Sequence, residues 1–409
     1  MTALLYTFVI YIYARLVNFA ALFSKKARLR VRGVKASKAF LADFKNDEKE
    51  IIFIHCSSQG ESEQAFPIIS WILNNTKYHV VISFFSPSGY ENFNKLNDPR
   101  ISKIYLPFDL PNTMTRLVKK LNPVKAIIIK NEWWWNLFDV LHRNNIETFL
   151  VSSTIRSNHY FIRYKIPFFV NSLNKFSKIF VVDESSETNL SKVYNGPIVV
   201  GGDTRMDQVL KNKKSAINEK AIVNQFKSDV IVYGSVWEED MPIIHEFIRI
   251  YPKHNHILFP HILDESHINY FLNNIENSGT IKSVNEASEG ISIVTSMGQL
   301  KYAYQYAAIA YVGGGFGGGI HNILEAAVYG IPTLFGPDYE KSAEAIDLVE
   351  KELVFTFNNS KQLRHICDKI SEEKFRKKIE SNLLSYFSPE HSPTELICQN
   401  IFQKEILDD

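Results

Sequence analysis

The hydrophobic pattern keeps one rhythm from residue 50 onward, in which short apolar runs alternate with longer stretches of mixed polarity. Runs of about four to eight apolar residues between turn residues are typical of buried strands, and longer mixed stretches are typical of amphipathic helices. Their alternation predicts an α/β fold with parallel sheets covered by helices on both faces. The predicted strands lie in IIFIHCSS, HVVISFFS, ISKIYLP, KAIIIKN, ETFLVSS, KIFVVD and PIVVG, and then in DVIVYGS, NHILFPH, ISIVTS, AIAYVGG, IPTLFGP and LVFTF.

The two series of strands predict two doubly wound domains. A chain of 409 residues is too long for one ordinary core, because domains mostly contain about 100–200 residues. Residues 201–214 separate the series with a glycine-containing and then charged stretch, which is typical of a domain junction. We therefore expect an N-terminal segment over 1–38, a first domain over 39–204, and a second domain over 205–409 that includes the C-terminal helices.

The N-terminal segment departs from this pattern, since residues 4–23 are largely apolar and no acid occurs before Asp43. Its length is close to the roughly 20 residues that spanning a bilayer requires, and flanking basic residues favour the cytoplasmic side. The segment predicts a membrane anchor with the remaining chain on the cytoplasmic face. Arg15 and Asn18 interrupt the apolar run, so a tilted or interfacial helix is the alternative. The basic residues that follow are Lys25, Lys26, Arg28, Arg30, Arg32, Lys35 and Lys38.

The overall composition excludes several function classes. A net charge of +2 gives no general affinity for nucleic acid, so we expect no nucleic-acid partner. A hydrophobic share of 45% with 22% charged residues is typical of globular domains. Cys56, Cys367 and Cys398 are scattered and lack CxxC spacing, which argues against a disulfide framework and against a structural zinc site.

A glycine-rich stretch, YVGGGFGGGIHNILEAAVYGIPTLFGP over residues 311–337, predicts a strand, a tight turn, a short helix and a second strand. Gly317, Gly318 and Gly319 allow the backbone to approach a ligand closely, and Asn322 is expected to open a helix whose N–H groups attract a phosphate. Glu325 lies one turn further on, where its carboxylate either binds ribose hydroxyls or only interacts with the helix dipole. The spacing is not that of a Walker loop or a dinucleotide motif, so another class of nucleotide is indicated.

Polar residues also follow the predicted strands of the first domain. Glu61 ends HCSSQGE, where a carboxylate can act as general base but is equally explained as a helix-start acid. Ser86 and Ser88 in SPSG suit a turn and also a hydrogen bond to sugar or phosphate. Glu132 lies in NEWWWN beside three tryptophans, whose aromatic area suits a lipid-like ligand. Arg156 is placed either to clamp a carboxylate or phosphate or to lie in a solvated loop.

Together and in order, these motifs resemble those of the 3-deoxy-D-manno-octulosonic acid (Kdo) transferases of lipopolysaccharide synthesis. Each motif is weak alone, but the ordered set is specific and spans nearly the whole chain. The motifs are HCSSQGE, SPSGYE, YLPFDLP, NEWWWN, SSTIRS, VGGDTRMDQV, YGSVWEED, SMGQL and VGGGFGGGIHNILEAAVYGIPTLFGP.

The resemblance implies a GT-B glycosyltransferase with two Rossmann-like domains that face an inter-domain cleft. It implies CMP-Kdo as donor, a lipid A precursor as acceptor, inversion at the anomeric carbon, no metal or other cofactor, and a location at the inner membrane. The first domain would bind the acceptor and the second the donor. Glu61 falls on the family's catalytic glutamate.

The resemblance also assigns roles to the other candidate residues. Those expected to bind the acceptor are Ser86, Ser88, Glu132 and Arg156. Those expected to bind the donor nucleotide are Arg205, Ser235, His261, Met297, Gly298, Gly317, Gly318, Gly319, Asn322 and Glu325.

Two other functions stay open at the level of sequence. Another GT-B nucleotide-sugar transferase or an epimerase would share the glycine-rich stretch and a ribose-binding glutamate. A non-catalytic, membrane-associated protein that binds a nucleotide sugar would keep the fold without turnover. Neither requires the combination of the N-terminal apolar segment with HCSSQGE.

Overall fold

The computed structural model describes residues 3–44, 50–93, 98–130, 132–218, 229–340, 342–388 and 392–402. The chain forms two compact units, one containing residues 1–208 and 391–409 and the other residues 209–390. Within the described residues, each unit is built around one seven-stranded parallel sheet. The predicted α/β fold with two doubly wound domains is therefore confirmed.

The first unit contains the sheet with strand order β3-β2-β1-β4-β5-β6-β7. All neighbouring strands are parallel, and the central strands are buried because helices cover both faces. Each of the seven strands predicted in the first half is present. The strands are β1 (Ile51–Cys56), β2 (His79–Phe84), β3 (Ile101–Tyr105), β4 (Lys125–Ile129), β5 (Glu147–Ser153), β6 (Lys178–Val181) and β7 (Ile198–Val200).

Ten helices precede or follow these strands among the described residues, and the last of them crosses the junction between the two units. They are α1 (Ala3–Ala20), α2 (Lys25–Asp43), α3 (Gln59–Asn75), α4 (Pro87–Asn92), α5 (Pro111–Leu121), α6 (Trp135–Arg143), α7 (Tyr160–Tyr164), α8 (Pro167–Leu173), α9 (Glu184–Leu190) and α10 (Arg205–Asn218).

The second unit contains the sheet with strand order β10-β11-β9-β8-β12-β13-β14, again with parallel neighbours. Six of its strands were predicted, and β10 was missed because this four-residue edge strand is partly exposed and lacks an apolar run. The strands are β8 (Val230–Val236), β9 (Asn255–Pro260), β10 (Ser278–Ile281), β11 (Ile291–Val294), β12 (Ala307–Val312), β13 (Thr333–Phe335) and β14 (Phe355–Thr356).

The helices of the second unit lie between and after these strands. They are α11 (Met241–Ile250), α12 (Glu265–Asn274), α13 (Leu300–Ala303), α14 (Leu324–Ala327), α15 (Ala343–Glu350), α16 (Ser360–Ser371) and α17 (Glu373–Tyr386), with a 3-10 turn at Glu238–Asp240 before α11.

The basic segment that follows α1 forms helix α2, which is part of the first unit in the structure. Helix α2 packs into the first unit, where Arg30 and Leu41 are buried, so the expected segment boundary after residue 38 lies inside a packed helix. The Ser37 hydroxyl accepts a 2.8 Å hydrogen bond from the Tyr105 N–H on edge strand β3. A Cβ on Gly33 would lie 2.1 Å from the Tyr105 ring, so glycine permits this close approach.

The C-terminal helix α18 (Pro393–Phe402) belongs to the first unit, whereas the sequence assigned all C-terminal helices to the second domain. Ile397 and Phe402 are fully buried in the core formed with β1, β2 and α3. The Trp71 indole N–H donates a 2.7 Å hydrogen bond to Glu395. Sequence order alone could not reveal this return, because it depends on tertiary packing.

Candidate active site

Both sheets reverse their winding direction at one pair of strands, β1 and β4 in the first unit and β8 and β12 in the second. In open parallel sheets, ligands bind beyond the carboxyl ends of the strands at such a switch point. The loop after β1 carries Glu61 and the loop after β4 carries Glu132. The glycine-rich loop follows β12. The sheet topology thus selects three of the motifs found in the sequence.

Glu61 lies in the first turn of α3 and is half-buried. Its Oε2 accepts a 2.7 Å hydrogen bond from the Ser58 N–H, at the N-cap of the helix. This bond is the helix-start role that the sequence offered as the alternative to catalysis. It also fixes the direction of the carboxylate at the switch point, so the two roles are compatible.

Glu132, in the loop after β4, lies close enough to Glu61 for the two carboxyls to interact electrostatically. Burial, and next the negative charge of Glu61, raise the pKa of Glu132 to about 7, although a hydrogen bond from Ser57 opposes the shift. The Ser57 hydroxyl also lies 3.4 Å from His55 Nε2. At neutral pH this carboxyl is therefore partly protonated, which is unusual for a glutamate and typical of functional sites.

His55 supports this arrangement from inside the sheet. It is fully buried, its Nδ1 lies 2.8 Å from Ser83 Oγ, and burial lowers its pKa to about 3. The ring is therefore neutral and acts as a hydrogen-bonding group in the core.

Ser86 and Ser88 adjoin the Glu61 loop, because the Ser86 N–H donates a 2.7 Å hydrogen bond to the Ser57 carbonyl. Ser86 is the N-cap of α4, and its Oγ accepts from the Ser88 N–H at 3.3 Å. The two hydroxyls lie 2.9 Å apart. Where the sequence predicted a turn at SPSG, the structure begins helix α4, and both hydroxyls lie on the same sheet edge as Glu61. Arg156 is half-buried in the loop after β5.

In the second unit, Asp240 connects the loop after β8 to the glycine-rich loop. Its Oδ2 accepts hydrogen bonds from the N–H groups of Trp237 at 2.8 Å and Gly314 at 3.1 Å. Its Oδ1 accepts from the Tyr311 hydroxyl at 2.6 Å. A Cβ on Gly313 would lie 2.6 Å from the Ser235 carbonyl oxygen, so only glycine fits between the two loops.

The amides of the glycine-rich loop are turned toward its own backbone. The N–H groups of Gly317, Gly318 and Gly319 all donate to the Gly314 carbonyl, at 3.1–3.2 Å. The predicted anion cradle therefore has to rearrange before these groups can donate to a phosphate. Gly319 has a φ of +95°, in the left-handed region that favours glycine.

The helix after the glycine-rich loop is shorter and begins later than expected. The sequence predicted that Asn322 opens it, but α14 begins at Leu324, whose N–H donates to Asn322 Oδ1 at 3.1 Å. The Asn322 side chain therefore accepts from the Leu324 N–H, one of the N–H groups at the start of the helix that a phosphate would otherwise use. Glu325 is half-buried, and its charge contributes to the raised pKa of Tyr304 after the larger effect of burial.

Three rings form a stack next to this loop. Trp237 and His261 stack at 4.4 Å between centroids, His261 and His321 at 4.3 Å, and the Trp237 indole N–H donates to His321 Nε2 at 2.9 Å. Burial, and next His261, lower the pKa of His321 to about 4. His261 is therefore brought beside the glycine-rich loop, as its expected role in donor binding requires, while His321 was not singled out as a ligand.

The other residues predicted to bind the donor nucleotide lie in several different elements and loops. Ser235 has a φ of +54° at a bulge of β8, an uncommon conformation for a residue with a side chain. Met297 is 82% exposed, and Gly298 has a φ of +81° in the same loop after β11. Arg205 lies in the first unit, where its guanidinium forms a 2.6 Å ion pair with the buried Asp203. Among the described residues, no group of three or more His, Cys, Asp or Glu side chains could hold a metal ion.

The first unit also matches a known protein family. The model of the family described as "3-Deoxy-D-manno-octulosonic-acid transferase (kdotransferase)" covers residues 27–208, which end where the first unit passes into the second. Residues 27–208 of the chain match the Kdo transferase family. The resemblance seen in the ordered motifs is thus confirmed, and the family is one of glycosyltransferases.

Similar proteins match most of the chain. A "3-deoxy-D-manno-octulosonic acid transferase" of Rickettsia felis is 26% identical over 336 residues, covering 77% of this chain and 70% of its own length. A "Bifunctional glycosyltransferase/methyltransferase" of Fusobacterium nucleatum is 25% identical over 91% of this chain, which spans only 59% of that longer protein.

The solved structure of MurG from Acinetobacter baumannii shares the fold, with a TM-score of 0.58 over 87% of this chain and 99% of that one. Its 11% sequence identity establishes a likeness of fold alone. With the two parallel sheets, it supports the GT-B class for this chain.

Some residues of the site escaped the sequence reasoning. Asp240 was read only as part of an acid-rich helix start, and Ser57 carried no signal of its own. The position of Asp240, three residues after Trp237, was the available signal in the sequence. Its partners Tyr311 and Gly314 lie in and after β12, and only the folded structure identifies them. Arg30 had been grouped with the surface cations, although it is buried.

Proposed function

We propose that the protein transfers Kdo from CMP-Kdo to a lipid A precursor. The match of residues 27–208 to the Kdo transferase family model, together with the place of Glu61 at the topological switch point, is the observation that supports the proposal. The second unit would bind CMP-Kdo, and the first unit would bind the acceptor sugar. The products are CMP and the Kdo-bearing lipid.

In the proposed reaction, Glu61 takes the proton from an acceptor hydroxyl as that oxygen attacks the anomeric carbon of Kdo, and the bond to CMP breaks with inversion. The hydrogen bond from the Ser58 N–H holds the carboxylate in place. Glu132, partly protonated at neutral pH, would donate a hydrogen bond to the acceptor, with Ser86, Ser88 and Arg156 as further acceptor contacts.

The donor side would be bound by the loops that Asp240 connects. The glycine-rich loop, Asn322 and His261 would stabilise the charge on the departing phosphate, and Glu325 would bind the ribose. Ser235, Met297 and Gly298 would line this side. Arg205 would reach the phosphate only if its pair with Asp203 opens. We expect the reaction to need no metal or other cofactor.

We also propose that the protein works at the cytoplasmic face of the inner membrane. Helix α1 is long and apolar enough to cross a membrane by length and composition, a criterion that signal sequences and core helices also meet. Basic residues exposed on α2 would attract anionic headgroups.

The decisive assay measures CMP release from CMP-Kdo by the full-length protein in EDTA, with and without tetraacylated lipid A precursor in detergent. Mass spectrometry of the lipid then counts the sugars added. Release that depends on the lipid and yields a product with Kdo mass supports the proposal. Binding of CMP-Kdo without turnover would favour a binding protein, and turnover of a different nucleotide sugar would favour another GT-B enzyme.

Glu61→Gln tests the catalytic assignment within the same assay. Loss of the general base should lower the turnover rate by roughly 100-fold or more, with little change in the binding of CMP-Kdo. Glu184→Gln is the matched control, because Glu184 is also a first-turn acid, on α9, and is exposed. Unchanged transfer by the Glu61→Gln protein would refute the role of Glu61 as base.

A further inference from the structure

One face of the N-terminal helix α1 is docked on the loops that follow β3 and β4. The Tyr6 hydroxyl donates a 2.7 Å hydrogen bond to Asp109 Oδ2, and both residues are buried. The same carboxylate accepts the N–H groups of Asn136 at 2.9 Å and Leu137 at 2.8 Å, at the start of α6. The Tyr6 hydroxyl is therefore part of the polar network around Asp109, which holds the start of α6 after the tryptophans at 133–135.

A second contact lies two turns further along the same helix. The Tyr13 ring packs against Phe85 at 6.3 Å and Phe108 at 6.0 Å between centroids, and Ala14 beside it is buried. Tyr6 and Tyr13 are about 10 Å apart along a helix that rises about 1.5 Å per residue. The helix therefore lies along the carboxyl edge of the sheet. It contacts the first unit at two places, Tyr6 and Tyr13.

The opposite face of α1 is apolar and exposed. Its residues recur at helical spacing, and each exposes more than two-fifths of its surface. The exposed Arg15 lies on the same face, and a largely apolar face of this kind on a globular unit marks an interaction surface. The residues of this exposed apolar face are Leu4, Leu5, Phe8, Val9, Ile12, Leu16 and Phe19.

The docked face is incompatible with a helix that crosses a bilayer. The 18 residues of α1 extend about 27 Å, and the hydrocarbon core is about 30 Å thick, so crossing would need the whole helix in lipid. Crossing would pull Tyr6 from Asp109 or carry the buried carboxylate network into hydrocarbon, where unsatisfied polar groups cost several kcal/mol. A helix that lies flat keeps both contacts.

The charges next to α1 identify the surface that suits its exposed face. The first acid of the chain is Asp43, so both α1 and nearly all of α2 carry only cations. An apolar face flanked by cations is complementary to the interface of an anionic bilayer. The cations exposed on α2 are Lys25, Lys26, Arg28, Arg32, Lys35 and Lys38.

We propose that α1 lies flat in the headgroup region of an anionic bilayer, held on the first unit by Tyr6, and does not cross the bilayer. This inference rests on the proposed membrane association and specifies its geometry. The bilayer surface then adjoins the sheet edge that carries Glu61 and Glu132. A lipid-linked acceptor would reach these carboxylates without leaving the membrane surface.

The test measures the depth of three labels in vesicles of phosphatidylglycerol and phosphatidylcholine. Leu4→Cys, Ile12→Cys and Phe19→Cys are labelled separately with a fluorophore on the full-length protein, whose native cysteines are buried. Lipids that carry quenchers at shallow or deep positions then report depth. A flat helix places all three labels at the same shallow depth, whereas a crossing helix places Ile12 near the centre and Leu4 and Phe19 near opposite surfaces.

An impermeant thiol reagent, added outside sealed vesicles, completes the test. It should react with Leu4→Cys and Phe19→Cys alike when the protein is added from outside. Protection of Leu4 together with a deep Ile12 would overturn the proposal. Absence of vesicle binding, with lipid-dependent transfer intact in detergent, would overturn this proposal and the membrane association but not the enzymatic function.

Tyr6→Phe tests the docking contact itself. Loss of one hydrogen bond to a buried carboxylate should raise hydrogen exchange at Asn136 and Leu137 by roughly tenfold. Tyr11→Phe is the matched control, because Tyr11 lies on the same helix and is 46% exposed. Equal exchange in the two variants would refute the docking role of Tyr6.

Discussion

Two neighbouring carboxyls in the first unit lie in unequal environments. Glu61 is held by the N-cap amide of its own helix, whereas Glu132 is half-buried and burial raises its pKa to about 7. Under the proposed function, Glu132 would be partly protonated near neutral pH and would donate a hydrogen bond beside Glu61.

The raised pKa of Glu132 predicts a specific dependence of stability on pH. Between pH 4.5 and about 7, Glu132 is protonated in the folded protein and ionised in the unfolded chain. The unfolded state binds fewer protons in this window, so stability falls as pH rises, by about 3 kcal/mol in total. In Glu132→Gln this loss should be absent, which urea unfolding at pH 5 and pH 8 would measure. An identical pH dependence in both proteins would contradict the shift.

At the scale of elements, short loops are held by single buried polar groups. Asp240 connects β8 to the loop after β12, and Arg30 connects α2 to the loops after β2 and β3. Each group is the partner of several main-chain atoms. The loss of either should act on a whole loop and not on one contact.

Asp240→Ala is expected to weaken nucleotide binding. Alanine has no side-chain acceptor for the N–H groups of Trp237 and Gly314, so the glycine-rich loop loses its attachment to β8. We expect the dissociation constant for CMP to rise by roughly tenfold to 100-fold in calorimetric titration. Glu238→Gln is the control, since Glu238 is an exposed neighbour. Equal affinity in the two variants would exclude this role of Asp240.

Arg30→Ala is expected to destabilise the first unit. The guanidinium donates to the carbonyls of Phe85 at 2.5 Å and Leu106 at 2.9 Å and stacks on the Phe85 ring at 3.7 Å. Leaving these carbonyls unpaired should cost roughly 2–4 kcal/mol, measured by urea unfolding followed by tryptophan fluorescence. Arg32→Ala, on the exposed side of α2, should change stability by less than about 0.5 kcal/mol. A similar loss in both would show that α2 acts only through its charge.

At the scale of the whole molecule, the chain closes its first unit with its last helix. The side chains of Ile397 and Phe402 on α18 are fully buried in the first unit. The first unit is therefore complete only after the second unit has been synthesised. The first unit therefore depends on residues far away in sequence, and folding order need not follow chain order.

Ile397→Ala should loosen the first unit specifically. Removing a fully buried isoleucine side chain costs about 2–5 kcal/mol, and the cost falls on the core shared with α3, β1 and β2. Hydrogen exchange should increase in those three elements and stay unchanged in β12 and β13. Leu384→Ala, a 41% exposed residue of α17, is the control. Faster exchange throughout the second unit would contradict the placement of α18.

Much of the fold was already encoded locally. The apolar runs after residue 50 predicted thirteen of the fourteen strands, because buried parallel strands require continuous apolar segments. The ordered strand-end motifs identified the Kdo transferase family. The edge strand β10 was missed, since a partly exposed strand with a glycine has no such signal.

The sequence by itself predicted thirteen of the fourteen strands among the described residues, the resemblance to the Kdo transferases and the candidate residues, because each depends on neighbours along the chain. Only the tertiary structure decided that Arg30 is buried, that Asp240 holds the glycine-rich loop, that Glu61 and Glu132 share one switch point, and that α1 and α18 pack on the first unit. These contacts join residues up to hundreds of positions apart, and their burial and charge depend on the sheet that brings them together.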